Sequence, residues 1–249
     1  MKSWEPARAA PGTRILFVRH GFVHNPEGVI YGRMPRYGLS EPGRTDVDRT
    51  ARWLAMVPIE AIYTSPLLRA RQTAEIIGAH HPNAPIRRTS DLVEVHTSWQ
   101  GESFKEAQAS MQDFTYYNPP RGEDDETIDD VFARMDRALR VAARRHPGQT
   151  VACISHGEPI KILGVPYSGK ELTFESVLAP DPPEASVSVF HFVEAGKPPT
   201  TDLWIPRPLI RPRIARPLAT PGPAESASAA PQGVRGGPLT PVADPTPRG

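Results

Sequence analysis

The chain has 249 residues, with 29 Lys+Arg against 28 Asp+Glu, 39% hydrophobic residues, 30 prolines and one cysteine. Cys153 alone excludes an intramolecular disulfide framework or a Cys-based zinc finger and suits a reducing compartment, and the near-neutral charge balance gives no electrostatic reason for nucleic-acid binding. No apolar run approaches the roughly 20 residues that span a bilayer, and Met1 to Arg14 lacks the apolar stretch of a signal peptide, so a cytoplasmic protein is expected, with neither nucleic acid nor membrane as partner.

In chain order, Arg14 to His20 is an apolar run of strand length that ends in charge and then Gly21, which reads as a buried strand opening into a polar site. Leu39 to Gly43 looks like a helix start, and Val47, Ala51, Leu54 and Ala55 form one face of a helix that stops at Pro58. Ala61 to Ser65 is a short strand, and Pro66 sits where the first turn of a helix tolerates proline, with Leu67, Leu68, Ala70, Ala74 and Ile77 continuing the helical period. Ile86 to Leu92 is expected to be a strand and Ser103 to Phe114 a helix. Thr127 to Arg145 is a stronger helix, with Ile128, Val131, Phe132, Met135, Leu139 and Val141 mostly on one stripe. Thr150 to Ser155 is another buried strand running into His156-Gly157, and Glu158 to Leu163 a short helix. Ala185 to Phe192 alternates apolar and polar residues, as a half-exposed edge strand would. Strands alternating with helices imply an α/β domain, a three-layer α/β/α sandwich with a mainly parallel central sheet. Ligands in such folds collect at the carboxyl ends of the strands.

Thirteen of the 30 prolines fall between Glu194 and Gly249, where Trp204 is the only aromatic residue. The expected organisation is therefore a short N-terminal extension at 1–13, one domain at 14–193, and a Pro-rich tail at 194–249 that buries too little apolar surface to offset its ordering entropy. Within the tail, Ile205 to Leu218 repeats Arg-Pro with aliphatic residues between, a composition that favours polyproline II and offers a place for a protein partner.

Arg19-His20-Gly21 and Ser155-His156-Gly157 each place a histidine and a glycine at the end of a buried strand. With Asn25, Thr64-Ser65-Pro66-Leu67-Leu68-Arg69-Ala70-Arg71-Gln72-Thr73-Ala74, and Leu92-Val93-Glu94 with Trp99-Gln100-Gly101, they stand in the order found in one family. The chain resembles the histidine phosphatase superfamily, with its phosphoglycerate mutase-like fold, over residues 14 to about 192. Any one segment is a weak match, and four in order are specific.

The resemblance implies a phosphatase acting on small phosphorylated metabolites through a phosphohistidine. His20 would be the nucleophile, since imidazole is nucleophilic and largely unprotonated near neutral pH. Arg19, Arg69 and His156 would hold the phosphate, because the guanidinium gives paired hydrogen bonds and stays charged. Asn25 would add a neutral donor, Gly21 the tight turn that orients the ring, and Gly157 the matching turn beside His156. Glu94 would be the acid that protonates the leaving oxygen and then activates water. No metal and no cofactor is implied, because the basic residues already supply positive charge.

The chain departs from the family pattern at Phe22-Val23-His24, where relatives commonly carry a polar or acidic residue and then Thr or Ser. The apolar pair either narrows the pocket or faces the core. Thr97 and Ser98 stand where relatives often have glycine, which alters the loop carrying Glu94. Asp124-Asp125-Glu126 reads as an acidic helix N-terminus favoured by the macrodipole. Two other functions remain open: a phosphoglycerate mutase-type phosphotransferase, and a phosphate-binding scaffold on a catalytically quiet fold that recruits a partner through its tail.

Overall fold

A computed structural model describes residues 11–110, 122–194 and 196–204. It contains β1 (Thr13–Arg19), α1 (Glu41–Leu54), β2 (Ile59–Thr64), α2 (Leu68–Gly78), β3 (Ile86–Arg88), α3 (Phe104–Ser110), α4 (Ile128–Arg145), β4 (Thr150–Ser155), α5 (Gly157–Tyr167), α6 (Phe174–Val177), β5 (Val187–Phe192) and β6 (Thr200–Trp204). The strands form one sheet in the order β3-β2-β4-β1-β5-β6. β3, β2, β4 and β1 run parallel, β5 pairs antiparallel with β1, and β6 pairs antiparallel with β5.

Alternation along β1 builds the layers. Ile15 and Phe17 point to one face of the sheet, where they join Val151 and Cys153 of β4 and the apolar stripe Val131, Met135 and Leu139 of α4. Leu16 and Val18 point to the other face, with Ala152 and Ile154, against Val47 and Leu54 of α1 and Ala70 and Ile77 of α2. Successive side chains of a strand take opposite faces, so a strand that is apolar at every position must be covered on both sides. Full burial of each such Leu, Ile or Phe contributes about 1.5–3 kcal/mol.

Local signals set the helix starts. Ser40 caps α1 by accepting from the Gly43 amide at 3.0 Å. Thr127 caps α4 in a reciprocal box with Asp130, a device worth about 1 kcal/mol. Pro66 lies two residues before α2 begins, because Leu67 is the capping residue.

Several expectations change. The strand expected at Ile86 to Leu92 is confined to Ile86–Arg88, all exposed, because the Thr89 side chain accepts from the Asp91 amide and turns Ser90–Leu92 into a 3-10 turn. α5 continues past Leu163 to Tyr167. β5 is not an edge strand: β1 pairs with one side of it and β6 with the other. The sheet therefore extends past the boundary expected at 193, with Thr200–Trp204 paired to Val187–His191. Residues 111–114 of the expected third helix, residues 1–10 of the N-terminal extension, and 205–249 of the tail with its Arg-Pro segment lie outside the described residues. Among the described residues no helix is long and apolar enough to cross a membrane.

Candidate active site

Register brings the two histidines together. Arg19 of β1 pairs with Ser155 of β4, so the next residues leave adjacent parallel strands side by side, and the His20 amide donates to the Ser155 carbonyl at 3.1 Å. The two rings stand 5.0 Å apart at 64°. β2 ends on the other side of β4, and the Ser65 amide donates to Ile154 O, which aims the start of α2 at the same edge.

His20 is 2% exposed, and its Nδ1 lies 2.8 Å from Gly21 O. A carbonyl can only accept, so Nδ1 carries the proton and Nε2 keeps its lone pair. Arg69 Nε donates to that Nε2 at 3.2 Å. Burial first, and then the charges of Arg69 and Arg19, hold the imidazole well below its ordinary value of 6.5.

Arg69 is wholly buried, donates from Nη2 to Gly32 O at 2.7 Å, and lies 4.7 Å above the Tyr31 ring. Gly32 has φ +37°, and a side chain there would press on Gln100. His156 is also wholly buried; its Nε2 lies 2.9 Å from Ser65 Oγ and its Nδ1 3.7 Å from Glu94 Oε2. Burial, with Arg69 and His20 nearby, lowers the His156 imidazole well below its ordinary value. Glu94 Oε2 is 4.0 Å from Arg69 Nη2, and Oε1 accepts from the Val95 amide at 2.9 Å. Burial raises the Glu94 carboxyl above its ordinary value despite the opposing charge of Arg69.

Arg19 is met by the segment before β5. It donates to Pro182 O at 2.5 Å and lies 3.3 Å from Glu184 and 3.8 Å from Asp181. Burial works against its charge, yet Glu184 and Asp181 hold the guanidinium above its ordinary value. Lys161 of α5 extends the chain of alternating charge, 3.0 Å from Asp181 and 2.7 Å from Glu158. Burial and Asp181 push Glu158 up to about 8.

The structure thus brings His20, Arg69, Glu94 and His156 together, with Arg19 alongside. Gly157 belongs there for space, since a side chain would run into Asp181 and Arg19. Gly21 also serves close approach: a Cβ would lie 2.7 Å from Gly43 O and 2.6 Å from Val47. Asn25 sits in the following loop with both ends of its amide on Val29, donating to Val29 O at 2.9 Å and accepting from Val29 N at 3.2 Å. Of the apolar pair, Val23 faces the core at 4% exposed and Phe22 is 40% exposed.

The acidic stretch before α4 does more than favour a helix dipole. Asp125 accepts from Ser98 N at 2.6 Å and from Ser98 Oγ at 2.9 Å, while Glu126 pairs with Arg33 and Arg134. Sequence reasoning missed Arg33, Glu126 and Arg134. One signal was legible: Arg134 stands on the apolar stripe of α4 between Val131 and Met135, where an arginine needs partners.

Comparison with known proteins gives the family and the fold. The family model described as histidine phosphatase superfamily (branch 1) matches residues 15–201. Uncharacterized protein Rv0525 of Mycobacterium tuberculosis is 35% identical over 164 residues, covering 64% of this chain and 81% of that protein. Phosphoserine phosphatase 1 of Hydrogenobacter thermophilus is 29% identical, covering 73% and 87%. Among solved structures, Bacillus stearothermophilus YhfR superposes with a TM-score of 0.66 at 28% identity, covering 78% of this chain and 96% of its own. A match that starts in β1 and reaches β6 takes in both His-Gly strand ends and everything that converges on them: the chain belongs to the histidine phosphatase superfamily, branch 1, and is a phosphatase.

Proposed function

We propose that the protein hydrolyses small phosphomonoesters, without a metal, through a phosphoryl group carried on His20 Nε2. One observation carries the reading: the unprotonated Nε2 of a buried His20 faces Arg69 Nε, in a pocket that also holds the raised carboxyl of Glu94.

The Nε2 lone pair attacks phosphorus, and the bond from phosphorus to the ester oxygen breaks. Glu94 gives its proton to that oxygen, so an alcohol leaves instead of an alkoxide. The phosphorylated ring keeps its Nδ1 proton on Gly21 O, and Arg69 and Arg19 meet the phosphoryl oxygens. Glu94, now a carboxylate, takes a proton from water as the water oxygen attacks phosphorus and the P–N bond breaks. Inorganic phosphate leaves, with Glu94 protonated and His20 neutral again.

His20, Glu94 and His156 could each offer a ligand atom, all within 4.8 Å of one another. The Arg69 guanidinium among them repels a divalent cation and attracts a phosphate dianion, which favours chemistry without a metal. Phosphoserine is the first substrate to try, given the name of the Hydrogenobacter relative. Placement in the cytoplasm rests on the lone, buried Cys153.

The test uses the purified chain with p-nitrophenyl phosphate and a panel of phosphorylated metabolites, with and without chelator. Expected are release of inorganic phosphate in both conditions and an acid-labile phosphoenzyme, both lost in His20→Ala. Turnover that survives His20→Ala overturns the reading, and so does isomerised phosphoglycerate in place of free phosphate.

A further inference from the structure

Glu94 can donate a proton only if its carboxyl is aimed at the leaving oxygen, and a residue on a connecting loop has no regular secondary structure to aim it. The loop is instead fixed by two guanidiniums. Arg134 enters from α4 and is 7% exposed. Its Nη1 donates to Asp91 O at 3.0 Å and Val93 O at 2.6 Å, its Nη2 to Glu94 O at 3.3 Å, and its Nε and Nη2 to the two carboxylate oxygens of Glu126 at 2.9 and 3.0 Å. A guanidinium has five N–H donors in a fixed plane, and all five are used here. Three of them hold the backbone that leads into Glu94.

Arg33 completes the arrangement. Its Nε donates to Glu94 O at 2.7 Å, and its Nη2 lies 2.8 Å from Glu126 Oε2. The same Glu126 oxygen accepts from the His96 amide at 2.9 Å, so the chain is tied on both sides of Glu94. The residue before Arg33, Gly32, holds Arg69 through its carbonyl, and the Arg33 amide donates to Gln100 Oε1 at 2.7 Å. One loop therefore sets both the phosphate-binding guanidinium and the backbone of the acid. Glu126, and not the Glu94 carboxyl, answers the charges of Arg33 and Arg134. The clamp grips the main chain and does not engage the Glu94 carboxyl, whose Oε1 accepts from the Val95 amide and whose Oε2 faces His156 and Arg69.

We propose that Arg134, Arg33 and Glu126 are positioning residues that hold Glu94 in line for proton transfer, an inference that rests on Glu94 being the acid. A purely structural clamp would affect all substrates alike, whereas an aiming device matters most for esters whose leaving group needs the proton.

The experiment compares p-nitrophenyl phosphate, whose leaving group departs unaided, with benzyl phosphate, whose alkoxide requires protonation, on the full chain and its variants. Glu126→Gln keeps the size of the side chain and removes its charge, and Arg33→Lys removes the planar fork at an accessible position. Arg134→Lys is the third variant, its fold checked by thermal melting. Each should lower kcat/KM for benzyl phosphate by about 10- to 100-fold and for p-nitrophenyl phosphate by less than about threefold. Inhibition by inorganic phosphate should stay within about twofold, since each variant leaves His20, Arg69 and His156 in place. Adding Glu126→Gln to Glu94→Gln should cause little further loss. Equal losses on both esters, or no loss on benzyl phosphate beside a selective loss in Glu94→Gln, overturns the clamp alone. If Glu94→Gln itself shows no selectivity between the esters, Glu94 is not the acid and both readings fall.

Discussion

Arg69 Nε donates to His20 Nε2 across 3.2 Å, between two side chains that are both closed off from solvent. A phosphoryl group bound to Nε2 must replace this hydrogen bond, and the freed N–H then meets a phosphoryl oxygen. On the proposed chemistry, the guanidinium thus holds the empty nucleophile in place and neutralises charge once the nucleophile is loaded.

Arg69→Lys tests that double use. Lysine keeps the charge but not the planar fork, and it cannot reach His20 Nε2 and Gly32 O together. The expected result is a loss of about 10²- to 10³-fold in kcat, the scale of removing one preorganised donor. A variant with ordinary turnover would show that Arg69 does not meet the phosphoryl group.

The pH dependence of the rate follows from two opposed shifts. His20 must be neutral, and its value is depressed below 6.5; Glu94 must be protonated, and its value is raised above 4.5. kcat/KM should therefore rise with pH through the low value of His20 and fall as pH passes the raised value of Glu94. No acid limb should appear near 6.5 once the substrate's own ionisation at about 6 is allowed for. Glu94→Gln should remove the alkaline fall seen with benzyl phosphate, whose leaving group needs the proton. An acid limb centred on 6.5 would show that His20 titrates as an ordinary histidine.

Stability should depend on the same histidines. His20 and His156 both have depressed values in the folded chain. Their contribution is fully present above 6.5, the ordinary value they regain on unfolding. It is lost as pH falls from there through the folded values, because the unfolded chain takes up protons that the folded one refuses. Melting temperature measured downward from pH 7 should drop, and His20→Gln should flatten the drop. A parent and variant with the same slope would remove His20 as a cause.

Arg19 offers a test of competition. Glu184 lies 3.3 Å from it and is 39% exposed, so a bound phosphate must share the guanidinium with this carboxylate. Glu184→Gln should tighten inhibition by inorganic phosphate by about two- to fivefold, the range expected of a partly exposed ion pair. Weaker inhibition would mean that Glu184 orients Arg19 for phosphate and does not compete with it.

Much of the candidate site was legible because its residues are grouped in short local motifs. Arg19-His20-Gly21 and Ser155-His156-Gly157 each close an apolar strand with a charged or polar turn, and Ser65 to Arg69 does the same between strand and helix. Glu94 was harder to place, since its neighbourhood depends on Arg134, whose place on the apolar stripe of α4 calls for partners without naming them, and on Glu126, which looks like a helix-dipole acid. β5 was misjudged for a related reason. Its alternation of Val187, Val189 and the intermediate Ser188 and His191 is the same whether or not a further strand covers it, and only its pairing with Thr200–Trp204 takes it off the edge.

By itself the sequence determined the α/β order, the two His-Gly strand ends and the family, because periodicity and strand-end motifs depend on residues close together in the chain. The tertiary structure decided which charges meet. Arg134 reaches the carbonyls of Asp91, Val93 and Glu94, Arg19 is shared with Asp181 and Glu184, and His20 is held neutral by burial beside Arg69. A side chain's protonation and aim are set by what surrounds it in space, and those neighbours come from β1, α2, α4, β4 and the segment before β5, which are adjacent only once the sheet has formed.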